Sequence, residues 1–259
     1  MKKSKIAVLV AMVVVLAFSP AACGGSDKSS SDKTVYKVGT EPTFPPFDTT
    51  DEDQNIVGLD MDLIKAIGED QGFDVEFENL SFDGLIPALK AGNIDIVAAG
   101  MNKDDEDRQK EVDFSDSYYE SKLFVAVTED NTTIKSVEDL TPDMKVAAQT
   151  GTTGASKVQE LKDAGKIKEA VILDGLDTCM MKLINGDVSA VINDKPVTKA
   201  YMKKQPDKIK MVGEALNAEN YGFAVQKGNA ELVEKINNGL KNIKENGTYD
   251  KLVDEWFNK

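Results

Sequence analysis

Residues 73–99, FDVEFENLSFDGLIPALKAGNIDIVAA, contain the pattern that decides the fold. The stretch begins with alternating apolar and polar residues, as in a half-buried strand. Its middle part, 85–91, has helical spacing and ends at Gly92, and the mainly apolar run 94–99 suits a buried parallel strand. Strand, helix and strand in this order are typical of an open α/β sheet.

The same alternation extends upstream. Residues 36–39 predict a strand that enters a proline-rich loop. The apolar residues between 59 and 67 then recur at helical spacing, and we expect Asp60 to cap that helix. The first part of the chain therefore predicts one α/β lobe.

Downstream, a second α/β set follows, and a different pattern begins after Glu214. The predicted strands are 123–127, 146–149, 170–173, 188–192 and 221–225, and the predicted helices are 153–164, 176–185, 230–245 and 248–257. We therefore expect lobe 1 to comprise 34–119 and 221–259, and lobe 2 to comprise 120–220. Ligands commonly bind in clefts at such junctions, beyond the carboxyl ends of strands.

The N-terminal sequence predicts export. Residues 1–22 combine lysines with an apolar run that is too short to span a bilayer, as in a removable signal peptide. Small residues before Cys23 resemble the lipobox of bacterial lipoproteins, although Pro20 replaces the usual aliphatic residue. Residues 23–33 then form a lipidated cysteine and a flexible polar tether, which places the protein outside the cytoplasm, lipid-anchored or periplasmic. The alternative is ordinary cleavage that leaves Cys23 as a free thiol.

Composition excludes several classes of function. The formal net charge of −14 argues against nucleic acid and anionic membrane surfaces as partners. Histidine is absent, which removes imidazole bases and histidine-based metal sites, so we expect no metal and no cofactor. Beyond Cys23 only Cys179 remains, so the body contains no disulfide pair. We expect Cys179, Met180 and Met181 to lie in the core.

Arg108 is the only arginine in the sequence. Its planar guanidinium can meet a carboxylate through two parallel hydrogen bonds, which a lysine cannot do. The alternative is an exposed salt bridge with the acidic residues at 104–107.

A free amino acid in a closing cleft needs a partner for each of its charges. Arg108 and the turn QTGTTG at 149–154 are candidates for the carboxylate, because the glycines let backbone N–H groups converge at a helix start. Asp194, which follows a predicted strand, is the candidate for the ammonium. The alternatives are an ordinary strand-to-helix turn and a helix cap before Pro196. Loop aromatics could stack on the ligand or belong to the core: Phe44, Phe47 and Phe82.

Eight segments together resemble the bacterial solute-binding proteins for polar amino acids, the receptors of ABC importers, and most of all the glutamine and basic amino-acid binders. They are GTEPTFPPFD, IVGLDMDLIKAIG, FDGLIPALKAGNIDIVAAGM, DRQKEVDFSDSYYES, VAAQTGTTG, SAVINDKP, AENYGFAVQKGN and ENGTYDKLVDEWF. The resemblance implies a two-lobed periplasmic-binding-protein fold of class α/β, each lobe an open mixed sheet flanked by helices. Two hinge strands would join the lobes, near 118–122 and 219–221, in a monomer that delivers its ligand to membrane permease subunits.

The resemblance also implies roles for individual residues. Arg108 would bind the ligand carboxylate, helped by the backbone of Asn102 and Thr153. Asp194 would bind the ammonium, with the carbonyl of Gly100 and the side chain of Asn102.

Further implied positions surround the ligand side chain. Phe44 and Phe82 would sandwich the ligand, while Glu41, Gln149 and Asn193 would approach its side chain.

The sequence departs from the family pattern at several positions. The segment from Gly100 to Arg108 is one residue longer than usual, and we expect the extra residue to lie in the loop. Asn102 replaces threonine or serine, Gln149 replaces the lysine of glutamine binders, and Glu41 replaces a shorter aspartate. A cleft with Glu41 and no lysine at position 149 favours a cationic or amide side chain, arginine or lysine before glutamine.

Two other classes of function remain open. An enzyme of the same fold, similar to the periplasmic cyclohexadienyl dehydratases, would need a general acid, and Glu41 is the available extra carboxylate. A ligand-sensing receptor module would be expected to continue into a membrane span or signalling domain, and neither is seen before Lys259.

Overall fold

A computed structural model describes residues 33–258 of the chain. The predicted signal peptide 1–22, Cys23 and nearly all of the tether 23–33 lie outside these residues. The strands are β1 Thr34–Thr40, β2 Thr49–Thr50, β3 Ile56–Val57, β4 Phe73–Asn79, β5 Ile96–Val97, β6 Val112–Phe114, β7 Tyr119–Thr128, β8 Lys145–Gln149, β9 Glu169–Leu173, β10 Ala190–Asp194, β11 Ile209–Val212, β12 Ala218–Tyr221 and β13 Ala224–Gln226. The helices are α1 Leu59–Gln71, α2 Phe82–Lys90, α3 Glu106–Glu111, α4 Thr153–Asp163, α5 Leu176–Ile184, α6 Lys195–Lys204, α7 Ala230–Glu245 and α8 Thr248–Asn258.

The first sheet contains five strands in the order β4-β1-β5-β13-β6. β1 runs parallel to both of its neighbours, whereas β13 is antiparallel to β5 and β6. Helix α1 packs on β4 and against the C-terminal helices α7 and α8, so the end of the chain returns to this sheet. The first lobe is therefore a mixed sheet covered by helices, as predicted.

The second sheet follows the order β11-β7-β10-β8-β9, and β12 also pairs with β7. Strands β10, β8 and β9 are parallel, and β7 is antiparallel to β10 and β11. Helices α4, α5 and α6 pack against its strands. The two sheets confirm the prediction of a two-lobed α/β fold with mixed sheets. None of the helices within residues 33–258 has the length and apolar character needed to cross a membrane.

The chain passes between the sheets along two paired strands. The first part of β7 pairs with β12 in antiparallel register, with Tyr119 opposite Tyr221 and Ser121 opposite Glu219. The later part of β7 belongs to the second sheet, where Leu123 lies opposite Asp194. β7 and β12 coincide with the two strands predicted near 118–122 and 219–221.

Asp60 does not cap α1, so that prediction was wrong. Gly58 precedes the helix, and Asp60 is fully buried in its first turn. Its Oδ2 accepts hydrogen bonds from the Gly100 N–H at 2.8 Å and the Tyr118 hydroxyl at 2.6 Å. Burial raises the pKa of Asp60 to about 7, against the opposing effect of these two hydrogen bonds. The side chain therefore joins α1 to the loop after β5 and to the start of the interlobe crossing.

Two predicted strands differ from the structure. The run 94–99 forms ladder contacts only at Ile96–Val97, because the chain then turns into the loop that carries Gly100. The predicted strand 221–225 is two strands, since Tyr221 ends the pairing with β7 and Ala224 begins the pairing with β5 and β6. The interruption is the point at which the chain changes sheets.

The prediction of a buried Met181 was also wrong. Cys179 and Met180 are buried in the core, but Met181 is 61% exposed. All three belong to α5, whose buried face also includes Leu176 and Leu183. Consecutive helical residues are about 100° apart, so a run of three apolar residues extends beyond the buried face.

Candidate functional site

A small cavity of about 20 Å³ lies between the two lobes. Every predicted ligand-binding residue except Asn193 lies on its wall, together with Thr152 and Glu219. The predicted residues on the wall are Glu41, Phe44, Phe82, Gly100, Asn102, Arg108, Gln149, Thr153 and Asp194. The fold therefore brings the predicted residues of both lobes to one small, nearly closed space.

Arg108 lies on the short helix α3, which the sequence analysis missed. The Asp105 side chain caps this helix by accepting from the backbone N–H groups of Asp107 and Arg108, a pattern that an acid-rich helix start could have revealed. Arg108 is buried, so the exposed salt bridge considered from sequence is excluded. Its guanidinium donates to the carbonyl of Asn102 at 3.2 Å and lies 5.4 Å from the Phe82 ring centroid.

The guanidinium of Arg108 forms no ion pair within residues 33–258. Burial lowers its pKa, whereas the charges of Asp105, Glu219 and Asp194 raise it. An arginine remains charged in proteins, and its five N–H donors exceed the two bonds it makes to carbonyls. The wall therefore offers a charged planar donor to an anion in the cavity.

Asp194 is the last residue of β10 and lies in the other lobe. It precedes α6, but its side chain forms no capping hydrogen bond, which excludes a simple capping role. Its Oδ1 instead accepts from the hydroxyls of Ser121, at 2.9 Å, and Tyr221. Burial and the charge of Glu219 raise the pKa of Asp194 well above its usual range. A cationic partner would stabilise the ionised form of such a buried carboxyl group.

Gly100 holds the loop after β5 in a conformation that favours glycine. Its φ is +53°, and a Cβ at this position would lie 2.6 Å from the Phe44 ring. Its N–H is held by Asp60. The neighbouring Asn102 accepts from the backbone of Asn220 at 3.2 Å, which ties this loop to β12. The ring of Phe44 and the backbone of Gly100 thus form one continuous part of the wall.

Glu41 and Gln149 meet across the cavity. The Gln149 amide donates to the Glu41 carboxylate at 3.0 Å and to the Asp174 carbonyl at 3.0 Å. The Thr43 hydroxyl lies 2.8 Å from the same carboxylate oxygen of Glu41. Burial raises the pKa of Glu41, and these hydrogen bonds oppose the shift. This end of the cavity presents an acid with one amide neighbour from the opposite lobe.

The turn at 149–154 forms the second wall and begins α4. Thr152 caps the helix by accepting from the Ala155 N–H at 3.1 Å. Gly151, with φ +76°, offers its carbonyl to Arg108 at 2.9 Å, and a Cβ on it would lie 3.1 Å from that of Asp83. The turn is therefore a helix start and also a contact between the lobes.

Asn193 does not line the cavity. Successive strand residues point to opposite faces, and Asn193 precedes Asp194 on β10. Its amide donates to the Thr198 hydroxyl at 3.2 Å. The sequence analysis missed two residues of the cavity wall, Thr152 and Glu219. Thr152 belongs to the turn at 149–154, and Glu219 is the first residue of the predicted hinge segment 219–221.

The fold and the cavity define a class of protein. Two α/β lobes enclose a small cavity, with a buried guanidinium on one lobe and a buried carboxylate on the other. These charges match the two poles of a zwitterion, so the class is a two-lobed amino-acid-binding protein. Residues 36–259 match the model of the bacterial extracellular solute-binding proteins, family 3. The chain belongs to this family.

Known proteins of similar sequence and structure agree with this assignment. The chain is 34% identical to ABC transporter arginine-binding protein 1 of Escherichia coli (strain K12), over 88% of this chain and 92% of that protein. The structure of an ancestral arginine-binding protein bound to arginine matches with a TM-score of 0.82 at 44% identity, over 87% of this chain and 99% of that chain. The ancestral amino acid-binding protein AncCDT-1, a precursor of cyclohexadienyl dehydratase, matches with a TM-score of 0.79 at 38% identity, over 86% and 95%.

Proposed function

We propose that the protein captures a free cationic amino acid, L-arginine or L-lysine before L-glutamine, and delivers it to the membrane permease of an ABC transporter. The observation that carries this proposal is the charge of the cavity wall, which combines one base, Arg108, with the acids Glu41, Asp194 and Glu219. A zwitterion with a cationic side chain complements this set better than a neutral or acidic amino acid does.

The positions of the charged groups suggest the orientation of the ligand. Its carboxylate would lie on Arg108 near the start of α4, where Thr153 contributes a backbone N–H. Its ammonium would face Asp194 and the carbonyl of Gly100. Its side chain would then extend towards Glu41 and Gln149, whose contact at 3.0 Å marks the far end of the cavity.

We also infer a clamshell mechanism. The first sheet and the C-terminal helices pack together, which supports a lobe 1 of residues 34–119 and 221–259. The second sheet supports a lobe 2 of residues 120–220. A ligand that contacts both lobes binds the closed form better than the open form, and only such a difference in affinity can shift the equilibrium. β7 and β12 would act as the hinge strands.

Replacing Glu41 by glutamine is expected to weaken L-arginine binding by on the order of 10–100-fold, because a hydrogen bond to a charged group contributes about 1.5–3 kcal/mol. The amide keeps the size of the side chain, so L-glutamine affinity should change little. Titration calorimetry with L-arginine, L-lysine, L-glutamine and L-glutamate measures both effects.

Glu52→Gln is the matched control, since Glu52 is an exposed acid in the same N-terminal part of lobe 1. Its arginine affinity should equal that of the unmodified protein. A tightest ligand that is glutamate or aspartate would contradict the proposed specificity, and so would equal losses of arginine and glutamine affinity in Glu41→Gln.

Binding and transport, without catalysis, are the function we propose. The acid considered for a dehydratase, Glu41, accepts hydrogen bonds from Thr43 and Gln149, an arrangement suited to a fixed charge partner. We further propose that the protein acts as a monomer outside the cytoplasm, held at the membrane through a lipid on Cys23. The family description supports the extracellular location, and the small residues before Cys23 support the lipid.

A further inference from the structure

The hydroxyl of Tyr201 joins the two lobes at a point outside the cavity. Tyr201 lies on α6, which packs on strands of the second sheet. Its hydroxyl donates to the main-chain carbonyl of Thr43 at 3.0 Å, and Thr43 lies in the loop that follows β1 of the first sheet. Neither residue lines the cavity. The bond therefore connects the lobes without reaching the space proposed for the ligand.

Two other hydrogen bonds between the lobes involve residues of the cavity wall. Arg108 donates to the Gly151 carbonyl at 2.9 Å, and Gln149 donates to Glu41 at 3.0 Å. The proposed function gives Arg108, Gln149 and Glu41 contacts with the ligand, so a change in any of them alters both ligand binding and the contact between the lobes. Because Tyr201 lies outside the wall, its hydroxyl acts only on the contact between the lobes.

The bond between Tyr201 and Thr43 lies beside an open groove between the lobes. The groove has a volume of about 680 Å³, and Pro46 of the same loop and Ala200 of α6 line it. Thr43 is fixed within its own lobe, because its hydroxyl donates to the Glu41 carboxylate, whose two oxygens lie at 2.9 and 2.8 Å. Separation of the lobes would therefore break the bond to Tyr201 and expose both partners to water.

We propose that Tyr201 is a positioning residue of the closed form, which strengthens ligand binding through its bond to Thr43 and without touching the ligand. This inference rests on the proposed function, since it needs a ligand that closes the lobes. The bond stabilises the closed form and not the open form, so it raises the affinity of every ligand that closes the cleft. Water replaces each partner in the open form, which limits the gain to that of one neutral hydrogen bond.

Tyr201→Phe tests this role, because it removes the hydroxyl and keeps the ring, which packs against the hydrophobic core. Titration calorimetry should show the affinities for L-arginine, L-lysine and L-glutamine each weakened by about 3–10-fold, the effect of one neutral hydrogen bond. The factor should be the same for all three ligands, because the bond joins protein groups. Glu41→Gln, by contrast, should weaken arginine binding and leave glutamine binding nearly unchanged. The midpoint of thermal unfolding of Tyr201→Phe without ligand should equal that of the unmodified protein.

Tyr249→Phe is the matched control. Tyr249 forms the same kind of bond, from its hydroxyl to the Tyr118 carbonyl at 2.6 Å, but both residues belong to the predicted lobe 1. Removing this hydroxyl should lower the midpoint of thermal unfolding without ligand and leave the three affinities unchanged, because the bond is present in the open and in the closed form. The two variants should therefore show opposite patterns, with a loss of affinity in one and a loss of stability in the other.

The outcomes separate this inference from the function on which it rests. Unchanged affinities in Tyr201→Phe, a loss confined to one of the three ligands, or a lower unfolding midpoint without ligand would each overturn the role of Tyr201 and leave the proposed receptor function intact. If the unmodified protein bound none of arginine, lysine and glutamine, the proposed function itself would fail, and this inference with it.

Discussion

Replacing Arg108 by alanine is expected to weaken L-arginine binding by on the order of 10²–10³-fold, because removing one partner of a buried charge pair costs about 2–5 kcal/mol. The guanidinium is buried on the cavity wall and bonds only to carbonyls among the described residues. Arg108→Lys should recover part of the affinity, since an ammonium restores the charge but not the two parallel hydrogen bonds. Titration calorimetry measures both losses.

Lys110→Ala provides the control for this experiment. Lys110 lies on the same helix, but its side chain is 70% exposed and pairs with Asp107 at the surface. Its removal should leave arginine affinity unchanged, because exposed pairs contribute little. Arginine binding by Arg108→Ala with the affinity of the unmodified protein would show that the carboxylate of the ligand is bound elsewhere.

Asp194→Asn is expected to separate affinity from stability. The amide can still accept from Ser121 and Tyr221, but it offers no charge to an ammonium, so arginine affinity should fall by on the order of 10²-fold. The unliganded protein should at the same time gain stability, because burial and the charge of Glu219 disfavour the ionised form of Asp194, and the neutral amide avoids this cost. Calorimetric titration and thermal unfolding without ligand measure the two effects.

The matched control is Asp187→Asn. Asp187 lies in the same lobe with a side chain that is 56% exposed and pairs with Lys182. Neither affinity nor thermal stability should change appreciably in this variant. A loss of stability in Asp194→Asn, or an affinity equal to that of the unmodified protein, would contradict a binding role that is separate from folding.

The sequence predicted those residues of the cavity wall that can be recognised from local chemistry alone. Arg108 stands out as the only arginine, the turn at 149–154 contains the glycines of a helix start, and Asp194 follows an apolar strand. These signals do not depend on distant contacts. The spacing of apolar residues likewise predicted most of the helices and strands, and their order along the chain predicted two lobes.

The remaining features depend on contacts between distant parts of the chain. Glu219 resembles any surface acid until β12 pairs with β7 and brings it beside Asp194. In the sequence Asp60 looks like a helix cap. Only the folded chain places Gly100 and Tyr118 where they donate hydrogen bonds to its carboxylate. Met181 resembles its buried neighbours because apolar character does not reveal which helix face meets the core. Long-range packing, which periodicity does not encode, decides each case.

The most direct test of the central claim measures closure of the two lobes around one ligand. Small-angle X-ray scattering with and without saturating L-arginine reports the radius of gyration. We expect it to decrease in the unmodified protein and to remain constant in Arg108→Ala at the same arginine concentration. An unchanged radius of gyration in the unmodified protein, while calorimetry shows that the site is saturated, would contradict an amino acid held between Arg108 and Asp194 by lobe closure.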